Sequence, residues 1–336
     1  MIRVAINGFG RIGRIAFREM ITGRDFDIVA VNDLSNAEEL AYLLKYDTNH
    51  RSFHEDEISF DNDNIVIAGK KRVKVLSEAD PSKLPWEKLN IDVVLECSGR
   101  FTKYEDAYKH ITAGARHVVI SAPGKGDMKT IVYGVNDSIL DGSEEVISAA
   151  SCTTNCLAPV LDVIEKNIGI RKGYMSTVHA YTNDQATLDI HHSKGIMARR
   201  GRACAQNIVP ASTGAASAIG KVIPSLLGKM DGMAFRVPVS CGSVVDLTLE
   251  LDKNVSKEEL NDLLRNNQSE ALKVCEDPIV SSDVLGKKCG ALVDLLSTNV
   301  LETEAGNLVK VVAWYDNEMG YTAQMLRTAK ALMKEK

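Results

Sequence analysis

Apolar residues along this chain gather into short continuous runs, with amphipathic segments between them. The runs suit strands buried on both faces, and the segments suit helices that cover such a sheet. IRVAIN (2–7) is a β-branched run that predicts a strand. Residues 11–21 space their apolar positions at helical intervals, and FDIVAVN (26–32) returns to a strand. The same reading predicts a helix over 36–46, a hairpin over 65–76 turning at Gly69-Lys70, and a strand over 91–97. It continues with a helix over 103–112, strands over 115–120 and 145–148, a helix over 152–167 and a strand over 174–179. Strands alternating with helices predict an α/β fold built on a parallel sheet.

Composition narrows the class. At 336 residues, two domains are expected, and the order of motifs places them at 1–150 and 151–315. A formal net charge of −5 offers no general attraction for nucleic acid. No apolar run approaches the ~20 residues of a membrane helix, and the first residues read directly as strand and turn; a cytoplasmic location is expected. Seven cysteines, an odd number at scattered spacing without a C-x-x-C pair, argue against a disulfide framework and against zinc. His191-His192 would face opposite ways on a strand, so no metal is expected there; His54, His110 and His117 read as structural.

The first candidate chemistry follows the first strand at once: Gly8-Phe-Gly10-Arg-Ile-Gly13, then the helix, the second strand and Asp33. Strand, G-x-G-x-x-G, helix, strand and acid together form a dinucleotide-binding pattern. Gly8 permits the tight turn, Gly10 lets the backbone approach a pyrophosphate, and Gly13 lets helix and strand pack. The helix start offers N–H groups to the phosphates, and Asp33 an acceptor to the ribose hydroxyls. The Asp33 charge repels a 2′-phosphate and favours NAD over NADP.

The second lies at SAASCTTNC (148–156). Cys152 follows a strand and opens a helix, with Ser151 and Thr153 beside it. The helix end is expected to stabilise the thiolate and lower the thiol pKa. Cys156, one turn on, reads as a buried structural thiol. A base is required, and His179 closes the strand after this helix. A strand–helix–strand crossover is expected to return it to Cys152 at the sheet's carboxyl edge.

Seven segments in order now resemble the phosphorylating glyceraldehyde-3-phosphate dehydrogenases: INGFGRIGR (6–14), SAASCTTNC, TVHAYTNDQ (177–185), NIVPASTGAA (207–216), MAFRVPV (233–239), SVVDLT (243–248) and WYDNEMGY (314–321). The resemblance implies an N-terminal Rossmann dinucleotide-binding domain and an α+β catalytic domain with a mixed sheet. A C-terminal helix, about 316–336, would pack back onto the first domain. It implies a homotetramer, NAD as cofactor, and glyceraldehyde 3-phosphate and inorganic phosphate as substrates. Cys152 would attack the aldehyde, with His179 as base, and a thioester would pass to phosphate as 1,3-bisphosphoglycerate. Thr182 and Arg236 match the substrate-phosphate residues; Ser151, Thr153, Thr213 and Gly214 match the attacking-phosphate region. Arg11 and Ile12 match the pyrophosphate turn, Ser121 the nicotinamide side, and Asn317 the holder of the carboxamide.

Two places depart from the pattern. Ala79 stands where many members have arginine, which leaves only a backbone contact there and moves the cost to NAD affinity. The stretch 187–205 carries His191-His192 and a few extra residues before a basic cluster, in which Arg199 is a weak candidate for the phosphate site. Two rivals remain at this point: an erythrose-4-phosphate or non-phosphorylating aldehyde dehydrogenase of the same fold, and a catalytically silent NAD-binding module.

Overall fold

The computed structural model describes residues 1–193, 195–304 and 306–333. They form two compact units: 1–133 with 137–151 and 322 onward, and 134–136 with 152–321.

The first unit is built on eight strands: β1 (Ile2–Asn7), β2 (Phe26–Asn32), β3 (Ile58–Asp61), β4 (Asn64–Ile67), β5 (Lys71–Leu76), β6 (Val93–Glu96), β7 (His117–Ile120) and β8 (Val146–Ser148). Their order is β3-β4-β5-β2-β1-β6-β7-β8. Strands β5 to β8 run parallel along this order, while β3 and β4 pair antiparallel at one edge. Helix α1 (Arg11–Thr22) follows β1, and α2 (Ala37–Lys45) follows β2, capped by Asn36. The single helix expected over 103–112 is two short ones, α3 (Tyr104–Ala107) and α4 (Lys109–Thr112), joined through Tyr108. The strand order reverses between β2 and β6, on either side of β1. Such a switch point leaves a crevice at the carboxyl ends of the strands. Val4, Ile6, Phe17, Val31 and Leu40 fill one side of the sheet, joined by Met325, Leu326, Ala329 and Leu332. These last four belong to α8 (Met319–Leu332), whose residues from Thr322 onward lie within this unit.

In the second unit, Cys152–Asn167 forms α5, as its sequence predicts. Its sheet has eight strands: β9 (Ile170–Ala180), β10 (Val209–Ser212), β11 (Met230–Val237), β12 (Ser243–Leu251), β13 (Leu272–Cys275), β14 (Ala291–Asp294), β15 (Asn299–Thr303) and β16 (Gly306–Tyr315). The order is β10-β11-β9-β12-β16-β14-β13, with β15 on β16, and the sheet is mixed. The expected crossover is corrected here. The strand before α5, β8, belongs to the first sheet and the strand after it, β9, to the second. The hydrophobic pattern predicts each strand but carries no information on which sheet receives it. Helices α5, α6 (Ala215–Val222) and α7 (Lys257–Asn266) pack together, and α5 and α6 lie against the sheet. Strand β12 shows why one face is chosen: Val245, Leu247, Leu249 and Leu251 are buried, and the residues between them are half-exposed. On the other face, Tyr174 and Val178 of β9 are exposed.

Candidate active site

The turn between β1 and α1 has the form that its glycines dictate. Gly8 has φ +91, and a Cβ there would lie 2.5 Å from the Ser98 backbone. A Cβ on Gly13 would lie 2.2 Å from the Gly8 carbonyl oxygen. Around Gly10, by contrast, nothing lies within 4 Å, so the backbone is open to an approaching group. Gly10 is also the N-cap of α1 and has no side chain with which to occupy the helix's first N–H groups. Asp33 accepts from Phe9 N–H at 2.7 Å and from Ser35 N–H at 3.2 Å, which ties the acid to the turn. Gly8, Gly10, Asp33 and Ala79 line one cleft of about 280 Å³ together with Asn7 and Ser98. Arg11 presents its backbone in the first turn of α1, while its guanidinium is held in a fork by Asp47, whose carboxyl is held down to about 2 by that pair against the effect of burial. Ile12 packs on the core beside it. Ser121 follows β7 and hydrogen-bonds the Cys97 thiol, which burial pushes up to about 12. An open helix start, a cleft beside it and an acid fixed at its rim suit the phosphate and ribose of a nucleotide.

Cys152 is the first residue of α5. Two residues before it, Ala150 has φ +59, a left-handed conformation that a residue with a Cβ adopts at some strain. His179 is the penultimate residue of β9. Its Nε2 lies 3.4 Å from Cys152 Sγ. Its Nδ1 lies 2.6 Å from the Ala180 carbonyl oxygen. The 2.6 Å contact with an oxygen that can only accept places the hydrogen on Nδ1 and leaves Nε2 as the acceptor facing sulfur, while Arg236 Nη1, 3.0 Å from Nδ1, turns its own hydrogens to the Ala180 carbonyl and Thr182. The parallel register of β9 and β11 sets Arg236 beside His179. Arg236 Nη1 donates to the Ala180 carbonyl and to Thr182 Oγ1, each at 3.0 Å. Its Nε is buried without a partner, a deficit that an anion would relieve. Tyr315 sets its ring edge against His179, and its hydroxyl lies between Thr153 Oγ1 at 3.0 Å and Thr177 Oγ1 at 2.9 Å.

Burial is the first cause of both shifts at the centre. It lowers His179 to about 3, with the Arg236 cation acting in the same direction. It also raises the Cys152 thiol above its ordinary value, against the pull of Arg236 and of donors at Thr153. The expectation of a thiol shifted downward is therefore corrected: desolvation outweighs the helix end and the cation. Both directions favour the neutral forms, a thiol beside an imidazole. Cys156 is fully buried, contacts the Ala313 carbonyl, and is pushed further up.

The remaining candidates divide. Thr182 joins the centre directly through Arg236. Thr213 and Gly214 form the start of α6, where Thr213 Oγ1 accepts from Ala215 N–H at 3.2 Å. Ser151 is the last residue before α5 and falls in the first unit. Asn317 is buried, and its Oδ1 accepts from Gly242 N–H at 3.1 Å and Ser243 Oγ at 2.9 Å. Its orientation is fixed, and its amide nitrogen is the donor left for a ligand carbonyl.

Sequence reasoning missed Asp184 and Arg200. Thr182 donates to Asp184, Asp184 pairs with Arg200, and the Arg200 cation acts on both His179 and Arg236. The basic cluster thus reaches the centre through Arg200. Arg199 lines a cavity of about 590 Å³ with Met197, Ser212 and Met233, and Arg200 lines it too. The signal was present as an acid and a base 16 residues apart, but nothing in the spacing pairs them.

Comparison with known proteins agrees with this geometry. Residues 2–104 match the family described as glyceraldehyde 3-phosphate dehydrogenase, NAD binding domain, and residues 151–317 match its C-terminal domain. The chain belongs to the glyceraldehyde-3-phosphate dehydrogenase family. Its relatives include a glyceraldehyde-3-phosphate dehydrogenase of Clostridium pasteurianum, 53% identical over 99% of both chains. One from Clostridium acetobutylicum is 53% identical over 98% of this chain and 97% of its own. One from Streptococcus pyogenes is 49% identical over 99% of both. With the family's NAD-binding domain, matched over residues 2–104, comes NAD as cofactor. Among the described residues, no helix is long and apolar enough to cross a membrane.

Proposed function

We propose that the protein oxidises D-glyceraldehyde 3-phosphate to 1,3-bisphosphoglycerate, with NAD and inorganic phosphate, in the cytoplasm. One distance carries the mechanism: Cys152 Sγ to His179 Nε2, 3.4 Å, with Nδ1 anchored on Ala180.

The thiol proton passes to Nε2 as sulfur attacks the aldehyde carbon. The same proton returns to the new alkoxide and gives a thiohemiacetal on Cys152. His179 then takes the hydroxyl proton as hydride leaves carbon, and a thioester remains. Because its pKa lies at about 3, the imidazole is free to accept throughout the neutral range. Bound NAD supplies the hydride acceptor. Gly8, Gly10 and Gly13 would admit its pyrophosphate, Asp33 its ribose, the Ala79 backbone its adenine side, and Asn317 its carboxamide. Arg236 and Thr182 hold the substrate phosphate, with Arg200 and Asp184 fixing them. Thr213 and Gly214, at a helix start, with Ser151 and Thr153, take the phosphate that attacks the thioester; the C–S bond breaks, and His179 returns its proton to the departing Cys152 sulfur.

A homotetramer is part of the proposal. The uncovered face of the second sheet supports self-association, as do Ile196 and Met197, which are 97% and 84% exposed. Light scattering after gel filtration tests it, and a monomer at micromolar concentration would refute it. The net charge of −5 gives nucleic acid no hold.

The deciding experiment is phosphate dependence. NADH should form from glyceraldehyde 3-phosphate over many turnovers only when phosphate or arsenate is present. A full multiple-turnover rate without either would assign a non-phosphorylating aldehyde dehydrogenase instead.

A further inference from the structure

Beneath the dinucleotide turn runs a chain of buried polar groups that the chemistry at Cys152 does not use. The Glu78 backbone sets its direction. Glu78 N–H donates to Asn32 Oδ1 at 2.9 Å, and the Glu78 carbonyl accepts from Asn32 Nδ2 at 2.8 Å. The Asn32 amide therefore fits only one way round. Its Nδ2 also donates to Asn7 Oδ1 at 2.7 Å, which leaves Asn7 with its Nδ2 donor, and that donor meets Glu96 Oε2.

A second line reaches Glu96 from the other side. Trp86 Nε1–H can only donate, and it meets His110 Nδ1 at 2.9 Å. Nδ1 is the acceptor, so Nε2 carries the hydrogen and donates to Glu96 Oε2 at 3.0 Å. On the other oxygen, Oε1 receives Ser98 N–H at 2.8 Å and the Ser98 hydroxyl. Three donors with polarity dictated elsewhere, plus one hydroxyl, converge on a side chain that is 1% exposed. Only a group with two acceptor oxygens satisfies them all, and that group is a carboxylate.

The convergence has a place in the cleft. Asn7, Asn32, Glu78 and Ser98 line it, and Ser98 is the backbone that a Cβ at Gly8 would strike. Asn7 ends β1, Asn32 ends β2 and Glu96 ends β6, so one carboxylate ties three strand ends. We propose that Glu96 is a positioning residue for the dinucleotide. Through Asn7 and Ser98, its buried carboxylate holds the strand ends at the spacing the cofactor cleft needs. This rests on the NAD reading of that cleft.

Calorimetric NAD titration of full-length Glu96→Gln tests it. The amide sets N–H against N–H on one side, and NAD Kd should rise about tenfold. KM for the aldehyde, at saturating NAD, should change less than about twofold. Glu96→Asp, which keeps the carboxylate, should recover part of the affinity. Ser98→Ala, which removes one donor, should raise Kd about threefold. NAD binding by Glu96→Gln at parental affinity overturns the proposal. So does an equal loss for NAD and aldehyde, which would mark a general loss of stability. Should Glu96→Gln fail to fold, an unchanged Kd for Ser98→Ala overturns it alone. Absence of NAD binding by the parent protein would overturn the cofactor reading and this proposal together.

Discussion

The dinucleotide turn and the thiol centre are built in opposite ways. The turn is backbone: three glycines within six residues, of which Gly8 and Gly13 each have a local steric reason, and Asp33 twenty residues beyond Gly13. The thiol centre is side chains drawn from separate segments, with His179 and Arg236 brought together by the parallel register of β9 and β11. A site made of local backbone is hard to alter without damaging the fold. A site assembled by strand register can lose its chemistry while the fold stands. Substitutions should therefore separate the two regions, and the expected effects fall in the following order.

The largest belongs to Cys152→Ser. NADH formation should fall by about a thousandfold or more, because a hydroxyl beside a neutral imidazole is a far weaker nucleophile. NAD should still bind in calorimetry, and loss of NAD binding would break the separation of the two regions.

Next comes His179→Asn, with a loss of about a hundredfold or more in kcat. The residual rate should climb with pH, since the Cys152 thiol is raised and hydroxide must then ionise it. A flat profile would remove His179 from the role of base. The same variant should also alter acid stability. A histidine lowered to about 3 in the folded state binds its proton first in the unfolded chain, whose value is about 6.5. Its contribution is therefore fully present above about pH 6.5 and is lost as pH falls toward 3, by up to about 1.4 kcal/mol per pH unit. Urea unfolding across that window should show a shallower slope for His179→Asn than for the parent, and equal slopes would argue against a buried neutral imidazole.

Gly13→Ala strikes the other region. A Cβ 2.2 Å from the Gly8 carbonyl oxygen forces the turn apart. Stability should drop by about 2 kcal/mol, with weaker NAD binding. An unfolding midpoint equal to the parent's would show that the turn yields, contrary to its geometry.

The smallest effect separates two neighbours. Arg200→Ala should raise KM for glyceraldehyde 3-phosphate about tenfold, because Asp184 and Thr182 lose their anchor. Arg199→Ala should change it less than about twofold. Reversed values would give the phosphate contact to Arg199 instead of Arg200.

Against this background, the sequence by itself determined most elements of the first 180 residues and the first of the two regions. Hydrophobic runs predicted β1, β2 and α5 residue for residue and β6 with looser ends, because burial and periodicity are properties of neighbours along the chain. The glycine turn was legible for the same reason, as was Cys152 as the first residue of a helix. Only the tertiary structure decided that β9 leaves the first sheet for a second, that Arg200 rather than Arg199 reaches the centre through Asp184, and that the Cys152 thiol is raised. Strand pairing, long ion pairs and desolvation depend on which distant segments meet, and no local pattern of residues carries that information.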